Sequence, residues 1–216
     1  MRAVSFNLHL GSGGLDAAAH AIGALSPDVV FLQEVERGTR RGARADQADA
    51  LAQKLGLHAL FAPAFSIDEG EHGVAILAKE APKAMRIVGL PHEMPHDGHV
   101  PRGDDHRFEP RVLLIAKIGH LTVACTHLGR GESERKSQAN VIIAALLDDD
   151  DVLVGAELQE GPGHGAANRL SDDFVDGFAA VGGPEAATNP PGGPQERTQF
   201  LFAGGSLQPV KAAMGD

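Results

Sequence analysis

The stretch Pro27-Asp28-Val29-Val30-Phe31-Leu32-Gln33-Glu34-Val35 constrains this chain more than any other. β-branched and aromatic residues fill it and Ser26-Pro27 punctuates its start, so it reads as a buried strand. A strand that runs straight into Gln33-Glu34 sets an acid at the end of a sheet, where ligands commonly bind in α/β folds. Val4-Ser5-Phe6-Asn7 is an earlier strand of the same kind and ends on Asn7. Two such strand ends together suggest a metal site.

Around these two strands, helical and extended patterns alternate. Leu15, Ala18, Ile22 and Leu25 fall at helical spacing, as do Ala50, Leu51 and Leu55 within Asp46–Leu55. A third helix is expected over Glu134–Leu147. Strands are expected at 2–8, 28–34, 73–78, 111–117, 121–127, 152–159 and 198–203, with 111–127 a hairpin that turns at Gly119-His120. Segments 91–110 and 182–197 are rich in Pro and Gly and are long for plain connectors. No linker separates two cores, so residues 1–216 are expected to form one α/β domain.

Composition narrows the function. The formal charge is −10, from 19 Lys and Arg against 29 Asp and Glu, whereas gripping a nucleic-acid backbone calls for a basic face. Trp and Tyr are absent, which removes the usual stacking platforms for single strands. Arg37, Arg40, Arg41 and Arg44 form a local basic run, read as a solvated loop. No apolar run is long enough to span a bilayer and no signal peptide is visible, so a cytoplasmic protein is expected. Cys125, the single cysteine, sits in an apolar strand and reads as a small core residue.

Asn7, Glu34, His127 and the Gly155–Pro162 turn all lie at ends of expected strands. A hard divalent ion takes one or two carboxylates plus waters, which Glu34 and Glu157 can supply. Asn7 can orient a water or a phosphate oxygen, and His127 can contact phosphate or move a proton.

These residues resemble the endonuclease/exonuclease/phosphatase superfamily, which includes pancreatic DNase, apurinic endonucleases, sphingomyelinases and inositol-polyphosphate 5-phosphatases. The blocks run in family order: Ser5-Phe6-Asn7, Pro27 to Val35, His72 to Leu77, Glu109-Pro110-Arg111, Thr126-His127-Leu128, then Arg135 and Gln138. The resemblance covers about residues 3–210. It implies a four-layer α/β/β/α sandwich of the DNase I-like type and metal-dependent phosphoester hydrolysis with Mg²⁺ or Mn²⁺. By that resemblance Glu34 and Glu157 hold metal, Asn7, Gln159 and Arg111 hold phosphate, and His127 assists with protons or charge.

Departures from the family pattern cluster late in the chain. Where the family has Gly-Asp-x-Asn, this chain has Gly155-Ala156-Glu157-Leu158-Gln159, with both functional side chains one methylene longer. Shifts of that size cost roughly 10²-fold in catalytic geometry. Gln199 stands where an Asp is expected, and no Ser-Asp-His occurs. The tail Gly204 to Val210 aligns in two ways: the chain stops before the last strand, or Ser206-Leu207 replaces the Asp-His pair. General acid–base help of the missing kind is worth about 10²–10⁴-fold.

Three other motifs read as structural. His92-Glu93-Met94-Pro95-His96 matches the H-E-x-x-H pattern, but Pro91, Pro95 and Gly98 oppose the helix that pattern requires. The His92–His106 segment reads instead as a polar loop, with metal binding or a replacement histidine as alternatives. Gly11-Ser12-Gly13-Gly14 reads as a strand-to-helix turn, and Asp148–Asp151 as a solvated turn. The leading expectation is a hydrolase acting on a small or headgroup-type phosphate ester, with bulk nucleic acid disfavoured as a partner and no membrane insertion expected. The alternatives are a binding or regulatory protein that keeps the fold without turnover, and a different reaction served by the His92–His106 loop.

Overall fold

The computed structural model describes residues 1–92, 109–181, 188 and 196–213. Strand β1 (Ala3–Asn7) pairs in parallel with β2 (Val29–Arg37) across helix α1 (Leu15–Ala24). Helix α2 (Gln47–Leu55) follows; the Asp46 side chain caps its N-terminus and Gly56, at φ +67°, ends it in the left-handed region. The hairpin β3 (His58–Ile67) and β4 (Gly70–Ala78) completes a four-stranded sheet in the order β1-β2-β4-β3.

The second sheet has the order β5-β6-β7-β8-β10-β9, from β5 (Ala84–Leu90), β6 (Arg111–Ile118), β7 (Leu121–His127), β8 (Val152–Glu157), β9 (Val175–Asp176) and β10 (Gln199–Gly204). Helix α3 (Glu132–Leu146) connects β7 to β8, the one parallel pair of this sheet, and α4 (Gly165–Ser171) and α5 (Gly177–Val181) lie between β8 and β10 in the chain.

Three apolar clusters set the layers. Ile22 and Leu51 of α1 and α2 pack on Leu32 and Leu77 of the first sheet. Phe31 and Ile76 meet Leu114, Val123 and Cys125 between the sheets. Ile142 and Leu170 of α3 and α4 cover Val154 and Phe202 on the far side. The result is the expected α/β/β/α sandwich, a helix layer outside each of two sheets packed face to face.

Seven strands and three helices fall where the pattern placed them, within a few residues. Two strands of full length do not. β3 carries Pro63 at a register shift between Pro63 and Phe65, and a proline in the run hides an edge strand from its pattern. β5 is the other unread strand; it is an edge strand with most of its residues exposed, so it lacks an apolar signature.

The structure also resolves how the tail aligns. β10 begins at Gln199 beside Glu157 and ends at Gly204 beside Val152. Ser206 then donates through both its N–H and its hydroxyl to Asp151 Oδ1, at 2.8 Å each. That is the opposite end of β8 from Glu157, about 17 Å away at the rise of a strand. Ser206-Leu207 therefore does not stand in for an Asp-His pair at the site; β10 corresponds to the strand before that block.

Other motifs resolve structurally. Arg37, Arg40 and Arg44 pair with Glu71, Asp68 and Glu69 at 2.5–2.6 Å, and Arg41 pairs with Glu36, so the basic run is neutralised against the β3–β4 hairpin. Asp149 accepts from Thr122 Oγ1 at 2.8 Å and from Lys117, which ties the acidic run to the β6–β7 hairpin. Cys125 is fully buried in the inter-sheet core, and burial pushes its thiol up, away from reactivity. Gly14, at φ +83°, precedes α1 as a turn residue. His92 is exposed, and the remainder of the His92–His106 loop lies outside the described residues. No helix among the described residues is long and apolar enough to cross a membrane.

Candidate active site

Parallel pairing of β1 with β2 sets Asn7 opposite Gln33, and parallel pairing of β7 with β8 sets His127 opposite Glu157. Gln199 at the start of β10 also faces Glu157. The sheets meet at this same end through hydrogen bonds. Ser5 Oγ donates to Gln199 Oε1 at 2.7 Å, Gln33 Nε2 donates to Ser5 Oγ at 3.3 Å, and Gln33 Nε2 also lies 3.6 Å from Cys125 Sγ.

Glu34 sits on a β-bulge where β2 changes register against β4 between Leu32 and Val35. Its φ is +54°, a left-handed conformation that is costly for a residue with a Cβ. The bulge re-aims the side chain to a position 22% exposed. Asn7 Nδ2 donates to Glu34 Oε1 at 2.8 Å, and Asn7 Oδ1 accepts from the His9 N–H at 2.9 Å. His9 Nδ1 lies 3.9 Å from Glu34 Oε2. His9 (φ +47°) and Gln159 (φ +58°) are also left-handed, so the unfavourable backbone is concentrated at this end of the sheets.

Glu157 is buried, and both of its oxygens are engaged. Oε1 accepts from the Gln159 N–H at 3.3 Å, and Oε2 accepts from Gln199 Nε2. The two departures at 157 and 199 thus fit each other. The amide at 199 gives a donor where an acid would have given a second negative charge beside the buried Glu157. Burial pushes the Glu157 carboxyl up, hydrogen bonds from Thr198, Gln159 and Gln199 oppose this, and the Glu34 charge adds to it.

His127 is buried, with Gln159 Nε2 at 2.7 Å from its Nε2. Burial first, then the cations of Arg111 and its neighbours, hold His127 well below the usual imidazole range. Arg111 is buried and pairs with Glu109 at 2.8 Å. His72, buried on β4 with its ring centroid 4.9 Å from that of Phe65 and tilted 31° to it, is also pulled down, chiefly by burial.

A testable pH dependence follows from the two histidines. Folding keeps both deprotonated at pH values where the unfolded chain binds protons, below about 6.5. Stability is therefore full above that value and is lost as pH falls toward the folded values, at up to about 1.4 kcal/mol per pH unit for each histidine. Glu157 acts in the opposite sense, since its raised value favours the folded state at low pH, but one carboxyl opposes two imidazoles. Urea unfolding at pH 7.5 and 5.5 is expected to show lower stability at 5.5, with net proton uptake on unfolding. Equal stability at the two values would contradict the buried neutral pair.

The donor set decides what the site can hold. Among the described residues, no three His, Cys, Asp or Glu side chains converge to cage an ion. Glu34 Oε2 has no hydrogen bond within normal reach, and one carboxylate plus waters suits Mg²⁺ or Mn²⁺. Glu157 Oε1 and Oε2 each accept a hydrogen bond in this arrangement, from the Gln159 N–H and from Gln199 Nε2. Of the residues singled out from the sequence, the structure therefore brings Asn7 and Glu34 together as one pair, and Glu157, Gln159 and His127 as a second group. The second group is joined to Ser5 and Gln33 through Gln199. Sequence reasoning missed His9 and His72. Each is a polar residue flanking a strand-end block, the only signal available for them.

The Endonuclease/Exonuclease/phosphatase family model matches residues 4–203. The chain belongs to the endonuclease/exonuclease/phosphatase family. Members of this family hydrolyse phosphoester bonds and typically use divalent metals. Solved structures share the fold at low identity. An endonuclease/exonuclease/phosphatase from Beutenbergia cavernae is 18% identical with a TM-score of 0.70, covering 94% of this chain. This chain spans only 64% of the length of that protein. The mannosyl-6-phosphatase from Bacteroides thetaiotaomicron is 13% identical with a TM-score of 0.67, covering 95% of this chain and 85% of that one. A 3'-5' exonuclease from Neisseria meningitidis is 16% identical with a TM-score of 0.65, covering 94% and 87%. No curated protein sequence matches significantly.

Proposed function

We propose that this chain is a divalent-metal-dependent phosphoester hydrolase acting on a small or headgroup-type phosphate ester. The observation that carries the reading is Glu34. A left-handed acid stands at the bulge within β2, clamped by Asn7 through one oxygen and without a hydrogen bond on the other. Such strain is kept where the surrounding structure over-determines it, and it clusters at functional sites.

Glu34 would hold Mg²⁺ or Mn²⁺, which when bound stabilises charge on the phosphoryl oxygens. Arg111, Asn7 and Gln159 would orient those oxygens. His127 is held neutral and buried, so it serves as a hydrogen-bond partner and not as a cation. The net charge of −10 and the pairing of all four arginines between 37 and 44 favour a small substrate over a polyanionic duplex.

A second reading, a family member that binds ligand without turnover, is favoured by one observation: both Glu157 oxygens are engaged and its carboxyl is buried. Hydrolysis of p-nitrophenyl phosphate and bis-p-nitrophenyl phosphate with Mg²⁺, Mn²⁺, Zn²⁺ or EDTA separates the two. Turnover with Mg²⁺ or Mn²⁺ that EDTA abolishes is expected. Absence of turnover with every metal, alongside measurable phosphate-ester binding, would establish the second reading instead.

A further inference from the structure

His127, Arg111 and His72 converge from three strands on one small cavity of about 10 Å³, lined also by Ala64, Gly73, Val74 and Val112. That volume matches a single water-sized sphere. Each of the three polar residues contributes one buried atom without a hydrogen-bond partner: His127 Nδ1, Arg111 Nε and His72 Nδ1. All three residues are more than nine-tenths buried, and buried polar atoms left unmatched are costly.

The hydrogens can be assigned. An amide nitrogen cannot accept, so the contact between Gln159 Nε2 and His127 Nε2 makes the ring nitrogen the acceptor. Neutral His127 then carries its proton on Nδ1, which is a donor. Arg111 Nε–H is also a donor. The Arg111 charge is already matched by Glu109 at 2.8 Å, so the cavity calls for a neutral ligand that accepts from these two donors. Near His72 Nδ1 the carboxylate is Glu36 Oε1, at 3.9 Å and out of hydrogen-bond reach. That carboxylate already accepts from Thr39 Oγ1 at 2.6 Å and from Arg41.

We propose that this cavity is a binding site for one structural water, which accepts from Arg111 Nε and His127 Nδ1 and donates to His72 Nδ1. His72 is thereby a positioning residue: it orients the water, and the water fixes the tautomer and ring orientation of His127. Outer partners that orient the ligands of a metal centre are typically worth 10- to 100-fold in activity, which sets the scale for a residue that orients a site histidine. The water site stands on the geometry alone; its effect on rate rests on the hydrolase reading above.

Histidine-selective ¹⁵N labelling and two-bond ¹H–¹⁵N correlation at pH 7.5 test it without any assay. The expected result is His127 in the Nδ1–H form and His72 in the Nε2–H form. In His72→Phe the His127 signal is expected to move toward a mixture of tautomers, and in His72→Gln, which restores an acceptor, to return toward the parent pattern. If the parent protein turns over substrate, kcat should fall about 10-fold in the Phe variant with KM little changed, and recover in Gln. His127 found as the Nε2–H tautomer in the parent protein would overturn the proposal. So would a bromide soak that places an anomalous peak among the three residues, since that marks an anion site. Should His72→Phe fail to fold, the parent spectrum decides alone. If no substrate turns over, the spectrum still decides the water site and only the hydrolase reading falls.

Discussion

Glu34→Gln is expected to lower Mg²⁺- or Mn²⁺-supported hydrolysis of bis-p-nitrophenyl phosphate by at least about 10²-fold, since a metal supplies several kcal/mol of charge stabilisation in such reactions. The substitution is close to isosteric. The glutamine oxygen can still accept from Asn7 Nδ2, so the clamp that holds the bulge survives. What is lost is the negative charge and the oxygen now 3.9 Å from His9 Nδ1, the one open to a cation. Because the shape of the side chain and its hydrogen bond from Asn7 are kept, the folded state should change by less than about 1 kcal/mol. Steady-state rates across a metal titration, with thermal unfolding as the control, give both numbers. Unchanged turnover in a folded Glu34→Gln variant would remove Glu34 from the site.

The second large effect is structural. Gly155 lies mid-strand in β8, paired with Cys125 on one side and Leu201 on the other. A Cβ built there would sit 2.2 Å from Phe31 Cγ and 2.3 Å from Phe31 Cβ. Phe31 is fully buried between the sheets, and its own Cβ cannot swing aside without moving β2. Gly155→Ala is therefore expected to destabilise by about 3 kcal/mol, the upper part of the overpacking range. For a chain of this size that is a fall in Tm of about 6–12 °C. Phe31→Ala alone should cost about 3–5 kcal/mol through its cavity. In the double variant the ring contacts at 2.2 and 2.4 Å are gone while the Cβ–Cβ contact of 2.3 Å remains, so the combined loss should fall only partly short of the sum. Calorimetry of the three variants tests this, and strict additivity would show that the two residues do not share the space. The same contact matters to function, because Phe31 and Gly155 lie three and two residues before Glu34 and Glu157.

Much of this site was legible in the sequence because its blocks sit on strands with clear patterns. The apolar run through Leu32 fixes β2, and Asn7, His127 and Glu157 end strands whose pairing follows from the fold. What the sequence hides is backbone conformation and partner geometry. Nothing in Gln33-Glu34-Val35 announces a bulge or a φ of +54°, because no glycine marks it. Glu157 and Gln199 read as two separate losses in the sequence, yet in space the longer acid and the neutral amide form a donor–acceptor pair. His72 looked like an ordinary strand residue, since only the approach of β4 to β6 and β7 brings it to Arg111 and His127. The tail kept two alignments open until the register of β10 against β8 placed Ser206 beside Asp151, away from the site.

The most direct measurement is diffraction at the manganese edge from crystals grown with Mn²⁺. An anomalous peak within about 2.5 Å of a Glu34 carboxylate oxygen, completed by waters, is the expected result. A peak that avoids Glu34, for instance among the histidines of the 92–106 segment, or no ordered manganese at all, would contradict the assignment of Glu34 as the metal-binding residue of this site.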